Sequence, residues 1–314
     1  MRILVVGAGA IGGYFGGRLL EAGRDVTFLV RTGRAAQLAK TGLVIKSRLG
    51  DVHAPNPPML TEHEIVAPFD LVLLSCKAYD LTSATASFAP AVGPATAILP
   101  LLNGMRHLDV LAARFGAGAV LGGQCHISTA LDEEGRILHL NESHDLSFGE
   151  RGGSRTARAE SIATALSGAQ FDARFSNEIL QEMWEKWVFL AAAAGITCLM
   201  RATIGDIATA GVDDIATALF DECAAIASAQ GFAPRVEFLD RVRAAFVVKS
   251  SLLTASMLRD IERGARVEAD HILGDLLGRS GAKPGAVSIL RIAYAHTKAY
   301  EARKARELAV TASP

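Results

Sequence analysis

Cysteine is scarce in this chain of 314 residues: there are four, Cys76, Cys125, Cys198 and Cys223, and no two form a Cys-x-x-Cys pair. Such spacing speaks against a disulfide framework or a zinc site and fits a reducing cytoplasm. His126, His139 and His144 lack the helical spacing of metal ligands, so they read as structural or exposed and no metal is expected. Net charge is almost absent, at -1, and the basic residues are scattered. Without a Lys/Arg patch interleaved with aromatics, nucleic acid is excluded as a partner. Long apolar runs are missing too. The longest charge-free one in the second half, Trp187 to Met200, is too short to cross a bilayer. The N-terminal run is broken by glycines at once, unlike a signal peptide. With no repeat and no low-complexity segment, what is left is an ordinary soluble globular composition, half apolar and long enough for two domains.

The first thirty-one residues carry the strongest pattern. A strand (Arg2 to Val6) runs into Gly7-Ala8-Gly9-Ala10-Ile11-Gly12 and a helix, followed by a second strand from Asp25 to Val30. In a dinucleotide-binding unit the first glycine permits the tight turn, the second lets the backbone approach a pyrophosphate, and the third lets helix and strand pack closely. The pyrophosphate then meets free N–H groups at the positive end of the helix. At the end of the second strand, where NAD sites place a carboxylate, stands Arg31, with Arg34 close by and no Asp or Glu between Thr27 and Lys40. A guanidinium suits a 2'-phosphate, which favours NADP; the alternative is that both arginines are solvated loop residues.

Further buried-strand patterns follow at Phe69 to Ser75 and Ala97 to Leu102, delivering Lys77 and Asn103-Gly104-Met105 to strand ends. Ligands of doubly wound sheets bind there, although a strand-end lysine is often solvated and Asn-Gly is a common turn pair. Val120 to Ser128 and Arg136 to Leu140 read as strands around the turn 132–135, Arg155 to Leu166 as a helix, and Gln170 to Phe175 as the last strand. The pattern then becomes helical, so the expected division is a dinucleotide-binding domain over 1–175 and a helical domain over 176–314.

Ser176 is a plausible N-cap for a helix containing Trp184-Glu185-Lys186. Lys186 shares a face with Ile179, Met183, Leu190 and Ala193. A lysine on such an apolar face either snorkels to the surface or sits in a cleft with a lowered pKa. Ser256 and Glu268 would be about 18 Å apart on one straight helix, but Gly264 offers a break between them. A helix from Ile272, a Lys283-Pro284-Gly285 turn and a final helix through Ile292 to Leu308 close the chain. Apolar stretches such as Ile215 to Ala229 could pack in the core or at a homodimer interface.

Taken in order, Gly7 to Gly12, Lys77, Asn103-Gly104-Met105, Trp184-Glu185-Lys186, and Ser256-Met257-Leu258 with Asp260 and the downstream Glu268 resemble the ketopantoate reductase family, the NADPH-dependent 2-dehydropantoate 2-reductases. The likeness covers nearly the whole chain. It implies an α/β fold, with an N-terminal Rossmann domain, an all-helical C-terminal domain like that of 6-phosphogluconate dehydrogenase, and an active site in the cleft between. It also implies roles. Lys186 would be the general acid, and Glu268 the carboxylate that holds a substrate hydroxyl and orients the lysine. Asn103 and Ser256 would bind the substrate's carboxylate and polar end, with Asn103 also touching the cofactor. Lys77 would lie beside the nicotinamide and Arg31 would take the 2'-phosphate. The implied activity is reduction of a 2-oxo acid, ketopantoate to pantoate in pantothenate biosynthesis, in the cytoplasm.

The chain departs from the family in having Leu190 and Ala194 where asparagines usually follow the lysine by one and two turns. A polar substrate would lose two partners, each worth about 1–3 kcal/mol, so a less polar 2-oxo acid is the alternative. A 3-hydroxy acid dehydrogenase would carry Gly-x-Ser-Gly-Gly, whereas the comparable stretch here is Gly122-Gly123-Gln124-Cys125. An NADPH-binding sensor without catalysis would explain the lost asparagines, but not the retained Lys186, Ser256 and Glu268.

Overall fold

The computed structural model describes residues 1–281, 283 and 285–311. The expected Lys283-Pro284-Gly285 turn therefore lies, at Pro284, outside the described residues. The chain divides into two compact units: 1–102 with 107–180, and 103–106 with 181–314.

Unit 1 begins with β1 (Arg2–Val6), α1 (Ala10–Glu21), β2 (Asp25–Leu29), α2 (Thr32–Thr41), β3 (Leu43–Lys46), β4 (Val52–Ala54) and β5 (Met59–Leu60). It continues with β6 (Leu71–Leu74), α3 (Leu81–Phe88), β7 (Ala97–Pro100), α4 (Arg106–Phe115), β8 (Gly122–Leu131), β9 (Ile137–Gly149), α5 (Ala157–Leu166) and β10 (Asp172–Phe175). One sheet has the order β5-β2-β1-β6-β7, with every pairing parallel. Its strands are apolar on both faces because both are covered: Ile3, Leu4, Val5, Leu71 and Leu73 are fully buried. Since β1 pairs with β2 on one side and β6 on the other, the chain after β1 lies where the strand order reverses, the place such sheets keep for ligands. Glycines bring α1 close to the strands; a Cβ on Gly16 would lie 2.5 Å from the Phe28 ring.

The second sheet, β10-β9-β3-β4 with β8 on β9, is mixed. The strand expected at Arg136 to Leu140 is longer, at 13 residues, because both of its ends find partners, with the register to β8 shifting between His139 and His144. Its start pairs with β3 at Ile45↔Ile137, its end with β10 at Asp172↔Asp145, and its other edge with β8. His139 and His144 are carried inward on it. Tyr14 Oη lies 2.9 Å from His144 Nδ1, and Ser47 Oγ 2.9 Å from His139 Nδ1. Burial holds His144 below the usual histidine pKa, and with Tyr14, Ser47 and His139 it forms a polar cluster inside the unit.

The second half of the chain is helical: α6 (Ile179–Met200), α7 (Ile204–Thr209), α8 (Asp213–Ala229), α9 (Val236–Phe246), α10 (Ser256–Glu262), a π-turn (Asp270–Gly274) running into α11 (Asp275–Gly278), and α12 (Ile289–Thr311). Ser176 lies three residues before α6; its Oγ accepts the Glu178 N–H at 3.1 Å. At 22 residues α6 is long and apolar enough to cross a membrane, but 72% of its most apolar window is buried inside the protein, the setting of a core helix. Trp184 stacks on Phe232 and packs against Trp187. Glu185, 4% exposed, is gripped by Arg235 through Nε at 2.8 Å and the backbone N–H at 2.9 Å. Of the two settings open to Ile215 to Ala229, its buried Leu219, Phe220 and Cys223 occupy the core.

Candidate active site

In unit 1 the glycine turn follows directly from the end of β1. Gly7 takes φ +95°, a conformation costly to any residue with a Cβ, and its N–H bonds the Leu29 carbonyl at 3.0 Å. A Cβ on Gly12 would stand 2.1 Å from Ser75 Oγ and 2.2 Å from the Gly7 carbonyl oxygen, so the helix can rest on the turn only without one. Gly9, the N-cap of α1, is the opposite case: nothing lies within 4 Å of a Cβ built there. Open space over the N-terminus of a helix with no acidic residue in its first turn is what a pyrophosphate needs. Gly7, Ala8, Gly9, Ala10, Ile11 and Gly12 together fit a dinucleotide.

Arg31 is the N-cap of α2 and its side chain is 72% exposed, with a guanidinium nitrogen 3.1 Å from the Asp80 carboxylate and 3.4 Å from Ser83 Oγ. Lys77 is exposed at the N-cap of the 3-10 turn Ala78–Asp80, so Arg31 and the Lys77 loop meet through Asp80. Arg34 is not a solvated loop residue. It lies in the first turn of α2, half-buried, donating from Nε to the Ala8 carbonyl at 3.0 Å and from Nη1 to the Gly135 carbonyl at 3.0 Å. Burial lowers its pKa. Sequence alone gave no sign that Arg34 ties the glycine turn to the β8–β9 hairpin.

In unit 2, Lys186 is partly buried on α6, where Ile179, Met183 and Ala193 on its face are buried. Leu190 is partly exposed, and Ala194 is 4% exposed. The chain does break at Gly264, between α10 and the π-turn, as Ser256 and Glu268 required. Asn103 follows β7 by three residues and belongs to unit 2.

One feature that the sequence did not signal gathers these segments: the π-turn just after Glu268. The Glu268 carbonyl accepts from the N–H groups of His271 and Ile272 at 3.1 and 2.9 Å. Trp187, next to Lys186, donates from Nε1 to the Ile272 carbonyl at 2.9 Å. His271, 6% exposed, bonds through its ring to the Asn103 backbone carbonyl. The segments bearing Asn103, Lys186 and Glu268 are thus held by a single turn. Ser256 is anchored elsewhere. It opens α10 beside Ala255, whose N–H reaches Thr197 Oγ1 at 3.5 Å, and Thr197 lies about 16 Å along α6 from Lys186. Among the described residues no group of His, Cys, Asp and Glu could hold a metal ion.

Known proteins match both halves of the chain. The family model described as "Ketopantoate reductase PanE/ApbA" matches residues 3–153, and its C-terminal counterpart matches residues 178–301. The chain is 40% identical over 305 residues to the "Uncharacterized oxidoreductase YkpB" of Bacillus subtilis (strain 168), covering 97% of this chain and 100% of that one. It is 26% identical over 296 residues to the 2-dehydropantoate 2-reductase of Halobacterium salinarum, covering 93% and 96%. Among solved structures it resembles the 2-dehydropantoate 2-reductase from Geobacter metallireducens GS-15 with a TM-score of 0.85 at 28% identity, over 95% of this chain and 99% of that one.

Proposed function

The chain belongs to the ketopantoate reductase family of oxidoreductases, and from that premise we propose that it reduces a 2-oxo acid to the 2-hydroxy acid with NADPH, ketopantoate being the leading substrate. Its cofactor is a nicotinamide dinucleotide. Bound, that cofactor supplies the hydride that adds to the carbonyl carbon. Every other requirement falls on the chain's own residues. As the carbonyl oxygen becomes an alkoxide, the Lys186 ammonium stabilises its charge and hands it a proton, a contribution of roughly 10²–10⁴ in rate. Glu268 holds a substrate hydroxyl and keeps the lysine aimed. Asn103 and Ser256 receive the carboxylate and polar end. Lys77 lies beside the nicotinamide, and Arg31 takes the 2'-phosphate, exchanging Asp80 for a phosphate partner.

The π-turn supports this reading most directly, because one rigid feature holds the segments of Asn103, Lys186 and Glu268. The test is NADPH oxidation across a panel of 2-oxo acids including ketopantoate, run beside Lys186→Ala. Ketopantoate-dependent oxidation that collapses in the variant is the expected result; tight NADPH binding with no turnover of any carbonyl substrate would favour a sensor.

Leu190 and Ala194 favour a second reading, a 2-oxo acid less polar than ketopantoate. Leu190 sits one turn from Lys186 with part of its apolar side chain exposed, where the family's amide would meet a hydroxyl. Turnover of ketopantoate equal to or better than that of apolar 2-oxo acids would exclude it.

A further inference from the structure

The π-turn is clamped at three points. At its first residue, Asp270 accepts from Tyr294 Oη at 2.7 Å and lies 3.0 Å from Lys298 Nζ, tying it to α12. At its last, Gly274 packs so closely that a Cβ would come within 2.9 Å of the Tyr294 ring. Trp187 holds its middle to α6. Single π-turns inside helices recur at functional sites because the widened ring redirects side chains and backbone groups.

The redirected side chain here is His271. It is buried, its ring bonds the Asn103 carbonyl, and Gly104 lies flat against it: at φ +79°, a Cβ on Gly104 would come within 3.0 Å of both His271 Cδ2 and its carbonyl oxygen. The Asn103-Gly104 pair is therefore fitted to this one ring, by a hydrogen bond at the first residue and by the missing side chain at the second. Burial holds the ring below the ordinary histidine pKa, against Glu268 and Asp275, which favour the charged form, and with Arg106, which opposes it. A neutral ring has one N–H to give, and Asn103 receives it.

We propose that His271 is a positioning residue for the reduction: by holding the Asn103 carbonyl it fixes the angle at which the Asn103 amide meets the 2-oxo acid. The proposal rests on the reductase reading for its kinetic part only. A leucine at 271 keeps much of the volume and loses the donor, whereas a glutamine keeps an N–H within reach of the same carbonyl.

The chain has four asparagines, Asn56, Asn103, Asn141 and Asn177, so protein labelled with 15N-asparagine gives four side-chain amide signals. In His271→Leu the Asn103 signal moves while the other three stay; in His271→Gln it remains near the wild-type position. Kinetically, His271→Leu loses about tenfold or more in kcat/KM for the 2-oxo acid, and His271→Gln recovers most of it. An unmoved Asn103 signal in His271→Leu, or equal kinetic loss in both variants, would overturn the proposal. If the wild-type protein reduces no 2-oxo acid, the reductase reading fails, and the Asn103 signal still decides the role of His271.

Discussion

The Arg31 guanidinium lies 3.1 Å from the Asp80 carboxylate, although the two residues follow different strands of the parallel sheet. The pair links the residue expected to choose between NADP and NAD to the loop that carries Lys77. With the arginine 72% exposed, the pair adds little stability, about 0–1 kcal/mol, so a phosphate can compete for the arginine.

Arg31→Ala should therefore raise KM for NADPH by roughly 10- to 100-fold, the loss of a charge-assisted hydrogen bond, while KM for NADH changes little. Asp80→Asn should leave NADPH preferred. Steady-state kinetics with both cofactors checks this; equal losses for NADPH and NADH in Arg31→Ala would remove the 2'-phosphate role.

Two glycines of the same turn should fail differently when changed to alanine. Gly12→Ala forces a Cβ against Ser75 and the Gly7 carbonyl and should cost about 1–3 kcal/mol of stability together with cofactor binding. Gly9→Ala meets nothing in the protein. It should melt like the wild type yet bind NADPH about tenfold or more weakly, because its methyl takes up pyrophosphate space. Thermal melts and fluorescence titration separate the two.

Lys186→Ala should lower kcat by about 10²–10⁴ with NADPH affinity unchanged, since the lysine is assigned to the carbonyl and not to the cofactor. A pre-steady-state NADPH oxidation trace distinguishes slow chemistry from slow release.

Glu185 beside it should have a structural role. Burial alone would raise its carboxyl pKa, but Arg235 and Gln181 outweigh that and hold it below the ordinary value. A depressed folded-state pKa stabilises the fold above the carboxylate's unfolded pKa and loses that contribution as pH falls through the folded one. Arg235→Met should cost about 2 kcal/mol at pH 7, less than a fully buried pair because Arg235 is half exposed, and the gap to wild type should narrow below about pH 4.5. Melting curves from pH 7 to pH 4 read both statements.

Leu190→Asn should shift preference toward polar 2-oxo acids by about five- to tenfold in the ratio of kcat/KM values, if the second substrate reading holds. An unchanged ratio would mean that Leu190 does not face substrate.

What the sequence made legible was local. The β1–α1–β2 unit follows from an apolar strand, three spaced glycines and a second strand, all within thirty-one residues. The break at Gly264 was readable for the same reason. The π-turn was not: Asp270-His271-Ile272-Leu273-Gly274 has the composition of any helical stretch, and its geometry comes from Trp187, Tyr294 and Asn103, which lie far off in the chain. The assignment of 103–106 to unit 2 is equally non-local. The length of β9 was hidden because its charged and polar middle, Asn141-Glu142-Ser143, breaks the apolar signal, while pairing with β8 on either side of it, at His139 and at His144, makes one strand of the two ends. The role of Arg34 was hidden because its distant acceptors are backbone carbonyls, which no side-chain pattern reveals.

The pairing of Ile45 with Ile137 has a consequence for biosynthesis. When β3 leaves the ribosome, its partner on β9 is 92 residues away, a delay on the order of 5–20 s at ordinary translation rates. Throughout that interval the β3–β4 hairpin presents an open edge, and the dinucleotide turn is already made before the layer beneath α1 is closed. The nascent chain is thus most open to wrong pairing during its first half, and a molecular chaperone would find its target there.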